Sequence, residues 1–329
     1  MFPLLYSLLL AIGVSSCEKD TTYKVPFTPG NGGYIFAHMT DANYGSLFYS
    51  VSRDGLSWEN LNEGAKINNE YRGHPDLSIG REGQYYMIGV DATTAKPVLW
   101  RSNNLIGWAI EKELPDTAFD LSAQGYFTET LWYGAPKMYY DEPSDQYLIT
   151  WHAASTAYPT GDDMWRSMRT FYMLTSDFET FSAPQRLFHF TGTDENMATI
   201  DAIIRQIDGT YYAIMKDERW PTDIATGKTV RVAQSASLTT GYSNPGPSIT
   251  PAWHEAPTLV HQPNSSSWFL YAEQYPNNYA LFAANSISGP WVQQTYDAPA
   301  IRHGSVIWVD EATYQAVYTA YYQNASSRR

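Results

Sequence analysis

The chain has a single cysteine, Cys17, in 329 residues, and only 21 Lys and Arg against 34 Asp and Glu. One thiol closes no internal disulfide and builds no cysteine metal site. A net charge of −13 gives no electrostatic footprint for nucleic acid, which is excluded as a partner. Charged residues make up just 17% of the chain, too few for a disordered segment held open by repulsion. The strongly apolar run over residues 1–14 is too short to span a bilayer. A sustained helical period is lacking too. What abounds is aromatic: 26 Tyr, 13 Phe and 11 Trp, residues that fill cores and also stack on sugars, bases and cations.

Residues 1–17 read as a signal peptide, apolar and then small, ending at Cys17. Cys17 resembles the lipidated cysteine of a bacterial lipobox, and Glu18-Lys19-Asp20 resembles the acidic export signals of surface lipoproteins in Bacteroidetes-type bacteria. The alternative is a plain secretory peptide with an incidental cysteine, since no Lys or Arg precedes the apolar run. The lipoprotein reading implies export across the inner membrane to the outer membrane or cell surface, with a lipid anchor as the only membrane contact. Residues 18–30 read as a tether ending in Pro-Gly-Asn-Gly-Gly, and 31–329 as one monomeric domain.

That domain is a repeat. Five segments run from a serine through a turn to an aromatic: Ser52 to Trp58, Ser102 to Trp108, Ser176 to Phe181, Ser235 to Tyr242 and Ser286 to Trp291. Upstream of each lies an aromatic strand, opening at Tyr34, Tyr85, Tyr147, Tyr211 and Trp268, and a further element recurs near His74, Ala135, Ile200, Glu255 and His303. Short strands repeated five times predict an all-β, five-bladed β-propeller of four-stranded blades. Its ring closes by sharing one blade between N- and C-terminal strands, which leaves no free edge. Which terminal strand takes the Thr313–Tyr322 position is left open.

The first strand of each blade lines the axis, so the strand starts converge there: His74 and Asp76, Lys137, Asp201, Glu255, Arg302 and His303. Three carboxylates at one axis raise one another's pKa. An inverting glycosidase uses such a set: a base that takes a proton from water, an acid that protonates the leaving oxygen, and a third group that tunes the acid. Lys216 and Glu218, at the end of a second strand, reach the channel mouth and can bind hydroxyls. His74, Arg302, Trp132, Trp151 and Trp220 complete the expected substrate contacts.

Ile200-Asp201-Ala202, then Asp208-Gly209-Thr-Tyr-Tyr212, Lys216-Asp217-Glu218, Glu255-Ala256-Pro257 and Arg302-His303-Gly304-Ser305-Val306 together resemble the ordered signature of glycoside hydrolase family 43. The likeness runs from about Tyr34 to Val309. It implies a carbohydrate substrate carrying arabinofuranosyl, xylosyl or galactofuranosyl units and an inverting mechanism. Glu255 matches the general acid and Asp201 the acid-orienting modulator. His303 matches an axial histidine that faces a water-coordinated calcium or sodium ion; no cofactor is required for the reaction. Ala256 stands where glycine is common. The base motif departs: the family's Arg-Asp-Pro-x-Ile reads Arg72-Gly-His-Pro-Asp76-Leu-Ser-Ile79 here. Asp76 is the expected base and Asp41 the reserve, because a one-residue shift on a strand turns a side chain to the other face. Two other readings stand beside hydrolysis. One is a glycan-binding propeller without catalysis; the other is a sialidase-like propeller, suggested by the aspartate-box outline of Ser52 to Trp58.

Overall fold

The computed structural model describes residues 31–128, 134–275, 279–297 and 300–326, with side chains up to 322. The signal, the tether, Cys17 and Trp132 lie outside the described residues. The chain enters on β1 (Gly33–Thr40), β2 (Asn43–Ser52) and β3 (Glu59–Asn60). Two complete blades follow: β4 (Ser78–Ile79), β5 (Tyr85–Val90), β6 (Pro97–Ser102) and β7 (Ala109–Glu113), then β8 (Lys137–Asp141), β9 (Gln146–Ala153), β10 (Arg169–Thr175) and β11 (Gln185–Arg186). Next come β12 (Thr199–Ile207), β13 (Thr210–Asp217) and β14 (Thr229–Ser235), then β15 (His254–His261), β16 (Trp268–Gln274), β17 (Tyr279–Ala284) and β18 (Val292–Gln294). The last strand, β19 (Arg302–Val309), pairs with β1, so the closing sheet runs β19-β1-β2-β3.

Hydrogen bonds between neighbouring inner strands complete a five-bladed propeller. Ser78 Oγ donates to the Met138 carbonyl at 2.5 Å, Val306 N to Thr258 Oγ1 at 2.9 Å, and Leu77 N to Ser305 Oγ at 2.5 Å, the last joining β4 to β19. One blade departs from four strands. The β12-β13-β14 sheet has three, and residues 243–249 take the outer place with isolated bonds from Ser243 N, Gly246 N and Ile249 N to the β14 edge. Pro245 and Pro247 in that segment have no N–H to give a ladder.

The repeated serine turns are structural. Asp54 Oδ1 accepts from Leu56 N and Ser57 N at 2.7 and 2.9 Å, and Asn104 and Asp177 do the same in the next two blades. Each is an Asx turn that carries the third strand into the fourth.

Thr313–Tyr322 belongs to no strand. It lies in α2 (Glu311–Ser326), which corrects the expectation of a chain without helical periodicity. Tyr314, Val317 and Tyr321 fall on one face at helical spacing and are buried against the first-blade core. Asp310 Oδ1 caps the helix by accepting from Thr313 N at 2.8 Å. Arg53 clamps Glu311 and lies 3.8 Å from the Tyr314 ring. Tyr, Thr and Val in this stretch have the propensities of a strand; packing decides otherwise.

Candidate active site

The inner strands open at one end of the ring onto a cavity of about 380 Å³. Two of them carry the same irregularity there. Register shifts between Ile200 and Ile203 on β12 and between Glu255 and Thr258 on β15. A bulge re-aims a side chain at the cost of ladder bonds. At these bulges Asp201 and Ala256 adopt left-handed φ values of 52° and 44°. Such a conformation favours glycine, which gives a physical reason for glycine being common beside the acid in the family this sequence resembles.

The bulges bring two chemical groups together. Asp201 Oδ2 accepts from Ala256 N at 3.1 Å, so the fully enclosed Asp201 carboxylate fixes the backbone next to Glu255. Asp201 N donates to His152 Nδ1 at 3.4 Å. Burial lowers His152 to about 4, with Asp201 pulling the other way, so this imidazole is neutral at neutral pH.

Glu255 sits between two cations. Lys216 Nζ reaches Glu255 Oε2 at 2.5 Å and Glu218 Oε2 at 2.7 Å, while Glu218 also binds Lys228. His303 Nε2 lies 3.2 Å from Glu255 Oε1. Burial pushes the Glu255 carboxyl up, but Lys216 and His303 together outweigh it and hold the group well below the ordinary range. On His303, burial pulls down and Glu273 with Glu255 pulls up; the net shift is upward. The two shifts run in the opposite directions expected of an anion and a cation that face each other. Glu273, buried on β16, accepts from His303 N at 2.7 Å and from Arg302, and burial raises its own pKa.

The first inner strand contributes His74 to the cavity wall. Its ring lies 4.5 Å from that of His303 and edge-on to Tyr44 at 5.6 Å. Both His74 ring nitrogens are enclosed and have no protein partner among the described residues. Burial, then His303 and Lys137, drive its pKa well down, leaving a neutral ring with a free lone pair.

Eight expected residues meet at this cavity: His74, Asp201, Lys216, Glu218, Trp220, Glu255, Arg302 and His303. Asp76 is not on its wall. The Asp76 carboxylate is buried 3.6 Å from Lys137 Nζ, on the strand just before Leu77 and Ser78, which line the opposite mouth of the channel. Asp41 is exposed and held by Arg302. Trp151 is no stacking platform: it is buried between blades against Phe119 and Phe171, at 5.1 and 6.4 Å. Trp220 does reach the cavity.

Glu255, Glu273 and His303 each bring a ligand atom within 4.8 Å of the others, the one such group among the described residues. As direct ligands the three do not fit a hard cation. Calcium takes six to eight oxygens, and here Lys216 and Arg302 already neutralise both carboxylates.

Sequence reasoning missed Glu273, His152 and Lys228. The repeat register holds the signal. His152, Lys216 and Glu273 occupy matching places at the ends of second strands β9, β13 and β16, opposite the inner-strand starts. His152 and Lys216 thus face the cavity from second-strand ends, and Glu273 stands behind His303.

A family model described as a probable glycosyl hydrolase domain matches residues 71–315. No curated protein matches the sequence. Similar solved structures include the catalytic domain of a Coprinopsis cinerea GH62 α-L-arabinofuranosidase, 13% identical, covering 70% of each chain at a TM-score of 0.47. An exo-β-1,3-galactanase from Phanerochaete chrysosporium is 17% identical over 69% of this chain and 50% of its own, at a TM-score of 0.47. An α-L-arabinofuranosidase from Lactobacillus brevis is 14% identical over 68% and 72%, at 0.48.

Proposed function

Because the chain belongs to the family of probable glycosyl hydrolase domains, we propose that the axial cavity cleaves glycosidic bonds with Glu255 as the proton donor. The observation that carries this reading is the Asp201 to Ala256 hydrogen bond, which spends two backbone bulges on placing one carboxylate behind another. Strained backbone persists where the surroundings hold it, and it clusters at functional sites.

The donor works as a pair. The proton on His303 Nε2 passes to Glu255 Oε1 and from there to the glycosidic oxygen as the C–O bond breaks. Lys216 and Asp201 then hold the carboxylate that remains. On the other side water attacks the anomeric carbon and gives up a proton. Asp76 is turned toward Lys137, so the acceptor on that wall is neutral His74, whose ring nitrogens have no protein partner among the described residues. Attack opposite the leaving group inverts the anomeric centre. Inversion, and a terminal arabinofuranosyl, xylosyl or galactofuranosyl unit as the group released, rest on the resemblance of the motifs around Asp201, Glu255 and His303. Surface anchoring through Cys17 is proposed on the N-terminal pattern alone.

A second reading is a glycan-binding propeller without hydrolysis. It is favoured by one observation, the ion pair that keeps Asp76 off the cavity wall. Incubation with aryl arabinofuranosides, xylosides and galactofuranosides, followed by NMR of the first product anomer, separates the two. Release of the inverted sugar supports the hydrolase; saturable binding of the same glycosides without release supports the binding propeller.

A further inference from the structure

Nine large apolar residues stand exposed among the described residues, and four of them, Tyr44, Trp165, Trp253 and Tyr275, rim this one cavity. Both exposed tryptophans are in that set, at 39% and 43% exposure. Large rings gain by burial, so rings gathered in the open around a polar cavity call for a partner that covers them.

Trp253 and Tyr275 are braced by neighbours, and the helix that carries Trp165 is tied down. Trp253 has a left-handed φ of 68°, an outlier for a bulky residue. Its carbonyl accepts from Tyr275 N at 2.9 Å and its indole meets Trp220 edge-on at 5.6 Å. Trp220 in turn faces Lys228 Nζ at 4.6 Å. Trp165 is carried on α1 (Gly161–Arg166), which Arg166 ties to Asp223 at 3.0 Å. Tyr275 lies 5.7 Å from the Arg302 guanidinium. A strained, braced and exposed tryptophan two residues before Glu255 is poorly explained by packing, since much of its ring is left uncovered by the described residues.

We propose that Trp253, with Trp165 and Tyr275, forms a second sugar subsite outside the cleft, stacking on the apolar C–H face of a pyranose ring joined to the unit held at Glu255. The proposal rests on the glycosidase reading of the cavity and sharpens it: the substrate is a glycan chain and the leaving group is itself a sugar.

The test titrates the Glu255→Gln protein calorimetrically with arabino-, xylo- and β-1,3-galacto-oligosaccharides of one to six units. Affinity for one series is expected to rise at least tenfold from one unit to three. Trp253→Ala in the same background is expected to bring the ratio of trisaccharide to monosaccharide affinity close to one, and Trp253→Phe to restore part of it. The ratio is insensitive to a general loss of folded protein, which thermal melting reports separately. No length dependence in any series, or a ratio unchanged by Trp253→Ala, overturns the subsite. Cleavage of aryl glycosides by the native protein with an unchanged ratio leaves the hydrolase standing and removes the subsite. Length-dependent binding without cleavage of any chain does the reverse.

Discussion

The Asp201 carboxylate and the Ala256 amide lie 3.1 Å apart across the boundary between the fourth and fifth blades. The bond ties Asp201 to the backbone that carries Glu255, the proposed proton donor. Asp201→Asn keeps an acceptor oxygen but removes the charge. Its kcat is expected to fall by about 10²–10⁴, the usual weight of a positioned proton donor, with melting little changed. Asp201→Ala also strands the enclosed Ala256 N–H, adding about 1–3 kcal/mol of instability. Steady-state kinetics with thermal melting separates the two effects.

Lys216 holds two buried carboxylates at once, Glu255 and Glu218. Lys216→Met leaves Glu255 with His303, and Glu218 with Lys228 alone. Breaking a buried ion pair from one side costs about 3–5 kcal/mol. A matching drop in urea-unfolding free energy is expected, and the Glu255 titration, followed by carboxyl NMR, should move upward.

The pH dependence of stability has two limbs with opposite signs. The Glu255 pKa is lowered in the fold, so its contribution is complete above the ordinary carboxyl pKa of about 4.3 and fades as pH falls below it. The His303 pKa is raised, so its contribution is complete below about 6.5 and is lost as pH rises through the folded value. Melting temperature should peak between the limbs. Glu255→Gln should flatten the acid side and His303→Gln the alkaline side, as read by melting in buffers from pH 3 to 9.

His74 and Asp76 make a paired test of the wall proposed to activate water. His74→Ala is expected to cut kcat by about 10²-fold or more while leaving the ion pair below it intact. Asp76→Asn is expected to lower stability, because Lys137 loses its buried partner, with a smaller effect on turnover. The opposite ranking in a kinetic comparison assigns the base to Asp76.

The C-terminal helix gives a control far from the chemistry. Val317 is fully buried in the first-blade core. Val317→Ala should cost about 1–3 kcal/mol through the cavity it leaves, with KM unchanged in steady-state assays.

The blades were legible in the sequence because turn chemistry repeats: Asp54, Asn104 and Asp177 each accept from the amides two and three residues on, and an aromatic strand precedes each turn. Asp201, Glu255 and His303 were legible as starts of equivalent strands. What was hidden depends on side-chain direction. His74 and Asp76 stand two residues apart, on one side of an extended chain, so strand alternation does not choose which of them meets the cavity. Glu273 was masked by its apolar strand, and Trp151 looked available because its neighbours Phe119 and Phe171 come from distant segments. The α2 helix was missed because its tyrosines and threonines suit a strand, while the surface that selects a helix belongs to the first blade.

The central claim is that Glu255 delivers the proton to the leaving oxygen. The direct measurement compares native protein and Glu255→Gln on aryl glycosides whose phenol leaving groups span a range of acidity. The account predicts a loss of about 10²–10⁴ for weakly acidic phenols, shrinking toward none for dinitrophenol, which leaves without help. An equal loss on every phenol, native rates from the variant, or no cleavage by the native protein would contradict it.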